Sequence, residues 1–505
     1  MVAKVTCIAP IGFDGAIVEV ESDAKRGLPS LQIVGMGNKA IDEAKERVRS
    51  AIANSLLDFP TQKLTINLAP AELPKDGTYY DVAIALSILC VSKQLSQSQL
   101  AHAAFIGELA LDGSIRPVRG IINIAETARN NNIQTLYIPL QNSSQASLVQ
   151  GIDIVPVTNL KELFLILKGE KNITSQTQPA PHPKSTSINP ELSLDAIIGQ
   201  EQAKRALIIA TAGRHNLLLT GPPGSGKTLL AKTLLELLPP LSSDEQIAVT
   251  KLHSLAGESS EHIITRRPFR APHHTASRTA LIGGGSKPRP GEISLAHHGV
   301  LFLDEIPEYP RTVLESLRQP LEDKRITISR THGHITYPAD FMLIATMNPC
   351  PCGFYGDPTH ECTCSSNQIL AYQRKLSGPL IDRIDLVVTV ARVPSKKFLQ
   401  QKTMSLTQHK AALSSIKNAH LQQHNRFNRS DKYNSLLSSA NIKLIAQLSD
   451  AAENLLNLAS EKLSLSARAY FKIIKVARTI ADLDSSTTIK PEHVSEALQY
   501  RQQLG

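Results

Sequence analysis

Three apolar runs are continuous rather than alternating: Leu217-Leu218-Leu219, Val300-Leu301-Phe302-Leu303, and Phe341-Met342-Leu343-Ile344-Ala345-Thr346-Met347. Runs of this length without polar alternation predict strands buried on both faces, as in a parallel sheet. A helical stretch, Leu229 to Leu238, follows the first run and is stopped by Pro239-Pro240. In the first 170 residues α and β character alternate. Leu64–Leu68 and Thr135–Pro139 read as strands, and Asp81–Val91 and Ile121–Asn130 as helices. Beyond about residue 395 the chain turns helical, with candidates over Gln408–Gln423, Asn441–Ala459 and Ser466–Leu483. Pro491 opens a last helix, at the position where proline is preferred. Residues 171–192 are polar, Pro-rich and without period, which predicts a linker. The expected parts are therefore 1–170, linker 171–192, 193–395 and a helical 396–505. No short-period repeat is visible.

A chain of 505 residues is long enough for three or four separate cores. No run reaches the length of a membrane helix, and the start, Met1 to Cys7, has no signal-peptide pattern. Of six cysteines, four fall within 15 residues, which argues against a disulfide framework and for a reducing cytoplasm. The net charge of +9 is unevenly placed. Residues 1–170 carry 15 Lys/Arg against 17 Asp/Glu, whereas residues 396–505 carry 16 against 8. A neutral front and a basic back turn the second half toward a polyanion; the plainer alternative is a generally basic surface.

The octet after the first strand changes the picture most. Gly221-Pro222-Pro223-Gly224-Ser225-Gly226-Lys227-Thr228 matches G-x-x-x-x-G-K-[ST] in the strand–loop–helix context the motif needs. Backbone N–H groups of such a loop wrap a polyphosphate, aided by the positive end of the following helix. Lys227 is then expected at the β- and γ-phosphates of ATP, and Thr228 on Mg²⁺. The second run ends in Asp304-Glu305, giving a carboxylate for the Mg²⁺ shell and one to polarise the attacking water. The third run ends in Asn348, placed to orient that water.

From Asn216 to Arg383 the chain resembles AAA+ ATPases of the magnesium-chelatase-like branch. Ala271-Pro272-His273-His274, Pro290 to His297 and Ser377 to Asp385 are similar to the ComM/YifB family in particular. The resemblance implies an α/β fold: a P-loop AAA+ core, a parallel sheet with flanking helices, followed by a C-terminal helical lid. It also implies a homo-oligomeric ring, usually a hexamer, with ATP between subunits. Arg383 matches the arginine finger and Arg468 the sensor-2 arginine of the lid. The implied activity is a DNA motor and branch-migration helicase acting on single-stranded and branched DNA during natural transformation, with recombination proteins as possible partners of the first domain. Two alternatives stay open: a magnesium-chelatase subunit, and a protein-remodelling ATPase. Pro74-Lys75-Asp76-Gly77, Phe105 to Leu109 and Gly113 to Val118 resemble the α+β domain of Lon proteases, related to ribosomal S5 domain 2. The positions matching that family's Ser–Lys pair are Tyr79 and Ile122, so a Lon-like fold without peptidase chemistry is expected.

Two further segments carry candidate chemistry. Cys350-Pro351-Cys352 and Cys362-Thr363-Cys364 supply four thiolates, enough for one tetrahedral Zn²⁺, with His360 as a substitute ligand. Reduced or redox-active thiols are the alternative. Between Ile263 and Gly291 lie Arg266, Arg267, Arg270, Arg278, Lys287 and Arg289 without an acid, beside the flexible Gly283-Gly284-Gly285. In a ring these cations are expected to follow a DNA backbone without reading sequence. A solvated loop or an intersubunit ion-pair surface are the other readings. His273-His274 and His297-His298 are expected to point apart and to serve as hydrogen-bonding groups rather than metal ligands.

Overall fold

The three continuous apolar runs become the inner strands of one sheet, the second of two large sheets in the chain. The computed structural model describes residues 2–34, 39–73, 78–172, 189–259, 262–285, 289–330, 333–393, 406–429, 432–438 and 441–501. Lys287, most of the expected linker and the Pro74–Gly77 stretch lie outside the described residues.

In the first part, β1 (Val2–Ile11) and β2 (Asp14–Lys25) pair antiparallel. They are extended by β3 (Ser30–Val34) and β4 (Lys63–Ala69) on one side. On the other side lie β5 (Ala103–Phe105), β6 (Thr135–Pro139) and β7 (Asp153–Val157). The order is β3-β4-β2-β1-β5-β6-β7. Three helices pack on this sheet or beside it: α1 (Lys39–Asn54), α2 (Asp81–Val91) and α3 (Ile121–Asn130). Every residue of α2 is buried, as its apolar character on all sides requires. Its one acid, Asp81, accepts from Arg47 Nε at 3.0 Å and from the Leu109 backbone N–H at 3.2 Å.

The second sheet is fully parallel. Its strands are β8 (Leu217–Thr220), β9 (Phe269–Arg270), β10 (Val300–Leu303), β13 (Met342–Met347) and β14 (Leu386–Thr389); the hairpin β11 (Arg325–Arg330) and β12 (Gly333–Pro338) stands outside it. The order is β9-β10-β13-β8-β14. The first strand thus lies between the last two, and the strand order reverses beside it. That is where parallel sheets open a ligand crevice at their C-terminal edge. Both faces are covered, which explains the unalternating runs. Leu217, Leu219 and Ile344 share one apolar cluster with Ile416, Ile473, Ile480 and Val494, while Leu218, Leu301 and Leu343 pack with Leu252, Leu314 and Leu380.

Helices α4 (Glu201–Gly213), α5 (Lys227–Leu237) and α6 (Ser243–Ala256) belong to this core. The last part folds as α7 (Thr407–Phe427), α8 (Asp450–Lys462), α9 (Ala467–Leu483) and α10 (Pro491–Gln499). The helix expected over Asn441–Ala459 is instead broken. A short helix ends at Ala446, Gln447 takes a left-handed φ of 51°, and Ser449 caps α8 by accepting from the Ala452 N–H. The serine–aspartate start signal at 449–450 outweighs the apolar period. Helix α6 also docks the first part on the second. Ser254 Oγ accepts from the Gly120 N–H at 3.0 Å, and Lys251 Nζ bonds Glu126 at 2.5 Å while lying 4.1 Å from the Phe13 ring centroid. Among the described residues no helix is long and apolar enough to cross a membrane.

Candidate nucleotide site

The register between parallel strands brings the expected site residues together. Thr220 pairs with Met347, and Leu303 with Ala345, so the tips of β8, β10 and β13 share one edge. The loop leaving β8 turns through Gly224 and Gly226, at φ of 76° and 89°, a left-handed region that favours glycine. Lys227 begins α5 and is nearly buried. Its Nζ donates to the carbonyls of Gly221 at 2.7 Å and Pro222 at 2.9 Å, and to Asn348 Oδ1 at 3.2 Å. Burial lowers its pKa, while Asp304 and Glu305 oppose that shift. Among the described residues the Ser225 hydroxyl is buried in the loop without a partner. An orphaned donor there, the loop's N–H groups and a lysine together fit a polyphosphate.

Asp304 and Glu305 leave β10 beside this loop. Thr228 Oγ1 lies 3.5 Å from Asp304 Oδ2. Thr346 on β13 donates from Oγ1 to Asp304 Oδ1 at 2.5 Å and accepts from the Glu305 N–H at 3.0 Å. One hydroxyl therefore bonds both the Asp304 carboxylate and the backbone of Glu305. Glu305 sits at φ 51°, a strained setting for a non-glycine residue and one that clusters at functional sites. Thr346 was not among the sequence candidates. Its only signal was a hydroxyl in an otherwise apolar strand.

Arg383 and Arg468 come together elsewhere. Both bond Glu322, Arg383 through a short contact and Arg468 at 3.2 Å; Arg383 also donates to the Pro379 carbonyl at 2.6 Å. Among the described residues neither hydrogen-bonds to the 221–228 loop of its own chain. Burial of Arg383 leaves its Nε without a partner.

The four cysteines converge. Their sulfurs all lie within 4.8 Å of one another, with Cys350–Cys352 at 3.3 Å, Cys350–Cys362 at 3.7 Å and Cys352–Cys362 at 3.5 Å. Four thiolates around zinc, each about 2.3 Å from the metal, stand roughly 3.8 Å apart. The residues present fit that ion. His360 does not join them: it stacks on Phe354 at 5.0 Å and faces Arg392.

The basic insert divides into two kinds of residue. Arg267 is nearly buried, bonds Glu245 through both terminal nitrogens, and donates to the carbonyls of Pro239 and His298. Arg270 is clamped by Glu258 and Glu292. Their acids come from α6 and from just outside the acid-free segment, and these ion pairs hold the insert to the core. Arg266, Arg278 and Arg289 are exposed. The expectation that the paired histidines point apart is corrected. Their rings lie 4.1 Å apart in His273–His274 and 3.8 Å in His297–His298, because neither pair sits on a regular element. His297 Nδ1 accepts from the Asp340 N–H at 3.0 Å, and burial pulls its pKa down to about 3, so it is neutral at physiological pH.

Comparison with known proteins now bears on this geometry. Residues 193–398 match the family described as magnesium chelatase, subunit ChlI, and residues 408–501 match its C-terminal part. Residues 20–142 match a further family described as subunit ChlI of Mg-chelatase. The chain is 42% identical over 498 residues to competence protein ComM of Haemophilus influenzae, covering 98% of this chain and 96% of that protein. It is 41% identical to the YifB protein of Escherichia coli with the same coverage. The chain belongs to the ComM/YifB family.

This ComM/YifB chain is also similar to Lon over part of its length. Lon protease 2 of Bacillus subtilis is 28% identical over 34% of this chain and 35% of its own length. At the two positions expected to match the protease pair, Ile122 is fully buried in the core and Tyr79 is half-buried, its carbonyl accepting from the Gly107 N–H. Burial raises the Tyr79 pKa. The AAA+ core of this family places the chain among ATPases.

Proposed function

We propose that this chain is an ATP-driven DNA motor, a hexameric ring of identical subunits that moves branch points in recombination intermediates during natural transformation, in the cytoplasm. One observation carries the reading: Lys227, Thr228, Asp304, Glu305 and Asn348 meet at a single sheet edge, which gathers the groups that one chain would supply for hydrolysis. Bound Mg²⁺ neutralises charge on the phosphates of ATP. Thr228 and Asp304 would hold it. Lys227 holds the β- and γ-phosphates, Asn348 orients the attacking water, and the Glu305 carboxylate accepts the water's proton. Thr346 holds the Asp304 carboxylate and the backbone of Glu305. Arg383, and Arg468 beside it, serve the site of a neighbouring subunit. Exposed Arg266, Arg278 and Arg289 supply phosphate contacts, joined by Lys287. Residues 1–170 form a docking domain for recombination proteins, 171–192 the linker, 193–395 the motor and 396–505 the lid. The four cysteines hold Zn²⁺. The competence protein that matches along its length supports the biological setting.

A protein-remodelling ATPase is the second reading. It is favoured by the engagement of Arg267 and Arg270 inside the protein, which leaves fewer cations for DNA. ATP turnover measured without nucleic acid and with single-stranded, duplex and branched DNA separates the two. Strong stimulation, largest on branched DNA, is expected. Unchanged turnover with no DNA binding at low salt would sink the motor reading while leaving the ATPase intact.

A further inference from the structure

The segment 350–364 cannot hold its own shape by burial. It has no regular secondary structure, and of its side chains only Cys350 is buried. A loop of that kind needs a cross-link, and a metal bound by four thiolates is one. Where the loop leans is specific. Gly353, at φ 87°, lies so close to the phosphate loop that an added Cβ would stand 2.8 Å from Pro223 Cδ. Arg392, just past β14 on the way to the lid, donates to the Pro223 carbonyl at 3.4 Å and to His360 Nδ1 at 3.0 Å. Its guanidinium lies 5.9 Å from the Phe354 ring centroid, and Phe354 stacks on His360. Two residues before Cys350, Asn348 accepts from Lys227. Gln373 donates to the Pro349 carbonyl between them. The cysteine loop therefore touches the phosphate loop, the end of β13 and the strand leading to the lid.

We propose that the zinc-closed Cys350–Cys364 loop braces the nucleotide site, fixing the Pro223 turn and the Asn348 tip against Arg392. The inference rests on the ATPase and zinc readings above. Cys350, Cys352, Cys362 and Cys364 are the metal ligands, and Arg392, Phe354 and His360 are positioning residues that carry the brace to the phosphate loop. Without the ion, Gly353 and His360 are no longer held against Pro223 and Arg392. The phosphate loop then samples more arrangements, and nucleotide must select the competent one. If that arrangement is populated about a tenth of the time, apparent affinity falls about tenfold.

The test uses the full chain and three readouts: zinc content by elemental analysis, affinity for a fluorescent ATP analogue, and far-UV circular dichroism. Wild type should carry one zinc per chain. Cys362→Ser with Cys364→Ser should lose the metal and bind the analogue about tenfold more weakly, with its secondary structure retained. Arg392→Ala should keep zinc yet lose affinity in the same direction, which a merely structural metal does not predict. This second variant also serves if the cysteine variant fails to fold. A wild type without stoichiometric zinc, or Arg392→Ala binding the analogue as tightly as wild type, overturns the brace. A wild type that binds no nucleotide at all refutes the ATPase reading and the brace with it.

Discussion

Arg267 is where charge on the sequence and charge in the fold diverge most, and replacing it with alanine tests the difference. Its guanidinium donates to Glu245 Oε2 at 2.9 Å and Oε1 at 3.2 Å, to the Pro239 carbonyl at 2.6 Å and to the His298 carbonyl at 2.6 Å. The Glu245 side chain is only 17% exposed. Burial alone would disfavour its ionisation, but Arg267 overcomes that and holds its carboxyl below the usual range. Removing the arginine leaves this largely buried charge with the Ser242 N–H at 3.0 Å and takes a donor from the carbonyls of Pro239 and His298. Breaking a buried pair from one side costs about 3–5 kcal/mol. At about 2–4 °C per kcal/mol for a domain of this size, the motor should melt roughly 6–20 °C lower. The chain has no tryptophan, so far-UV circular dichroism is the appropriate probe. Replacing both partners, Arg267→Met with Glu245→Leu, should recover most of the loss, because a well-packed apolar pair leaves no charge behind. The reasoning is refuted if Arg267→Ala melts like wild type while its DNA binding weakens and the salt slope flattens by about 0.9, the signature of one lost phosphate contact.

The other predictions address the site and its surroundings. Glu305→Gln should bind ATP but turn it over poorly, whereas Lys227→Ala should weaken binding itself; equal affinity and equal turnover in the two variants would contradict the assigned roles. Arg383→Ala should lower turnover about a thousandfold with ATP binding retained, and mixing it with Lys227→Ala should restore some activity at shared interfaces; co-assembly without rescue would exclude a finger acting between subunits. Arg266→Ala, Arg278→Ala and Arg289→Ala together should flatten the salt slope of duplex binding by up to about 2.7 and spare basal turnover; an unchanged slope would move the DNA contact elsewhere. Burial would raise the Asp340 carboxyl, but Arg214 and Lys324 hold it down at about 2. Because the native value is depressed, its stabilisation is complete above about pH 4 and disappears as pH falls toward 2. Asp340→Asn should therefore lose less stability than wild type across that window, and parallel acid-melting curves would refute it.

The central strands and the phosphate loop were legible because burial on both faces leaves an unmistakable apolar run, and because the octet needs fixed residue types at fixed spacing. The convergence of four cysteines was legible for a similar reason, since two C-x-C pairs nine residues apart are close enough in the chain to meet around one point. Thr346 was hidden inside its strand, where one hydroxyl scarcely interrupts the pattern. Glu322 and Arg392 were hidden because they act through contacts distant in sequence. The break at Gln447 was missed because the apolar period ran across a serine cap.

Part of the basic charge of residues 396–505 is used inside the fold, and this bears on how the last helices are held to the core. Several cations that make residues 396–505 basic bond to groups within the fold. Arg478 is fully buried, bonding Asp482 and the carbonyls of Ala446, Ser486 and Thr487, and Arg426 reaches the same aspartate. Lys475 donates to the Ser435 carbonyl at 2.9 Å, and Lys472 to the Ile384 carbonyl at 2.6 Å; burial lowers the pKa of both. These are joints rather than a polyanion-binding face. Lys472 deserves weight here because it fastens α9 to the turn that carries Arg383. One helical turn earlier on α9, Arg468 reaches Glu322, which also holds Arg383. The turn and the helix are thus pinned at two points. A rotation of α9 that kept both joints would carry Arg383 with it, so under the proposed finger role its position follows from that of the helix.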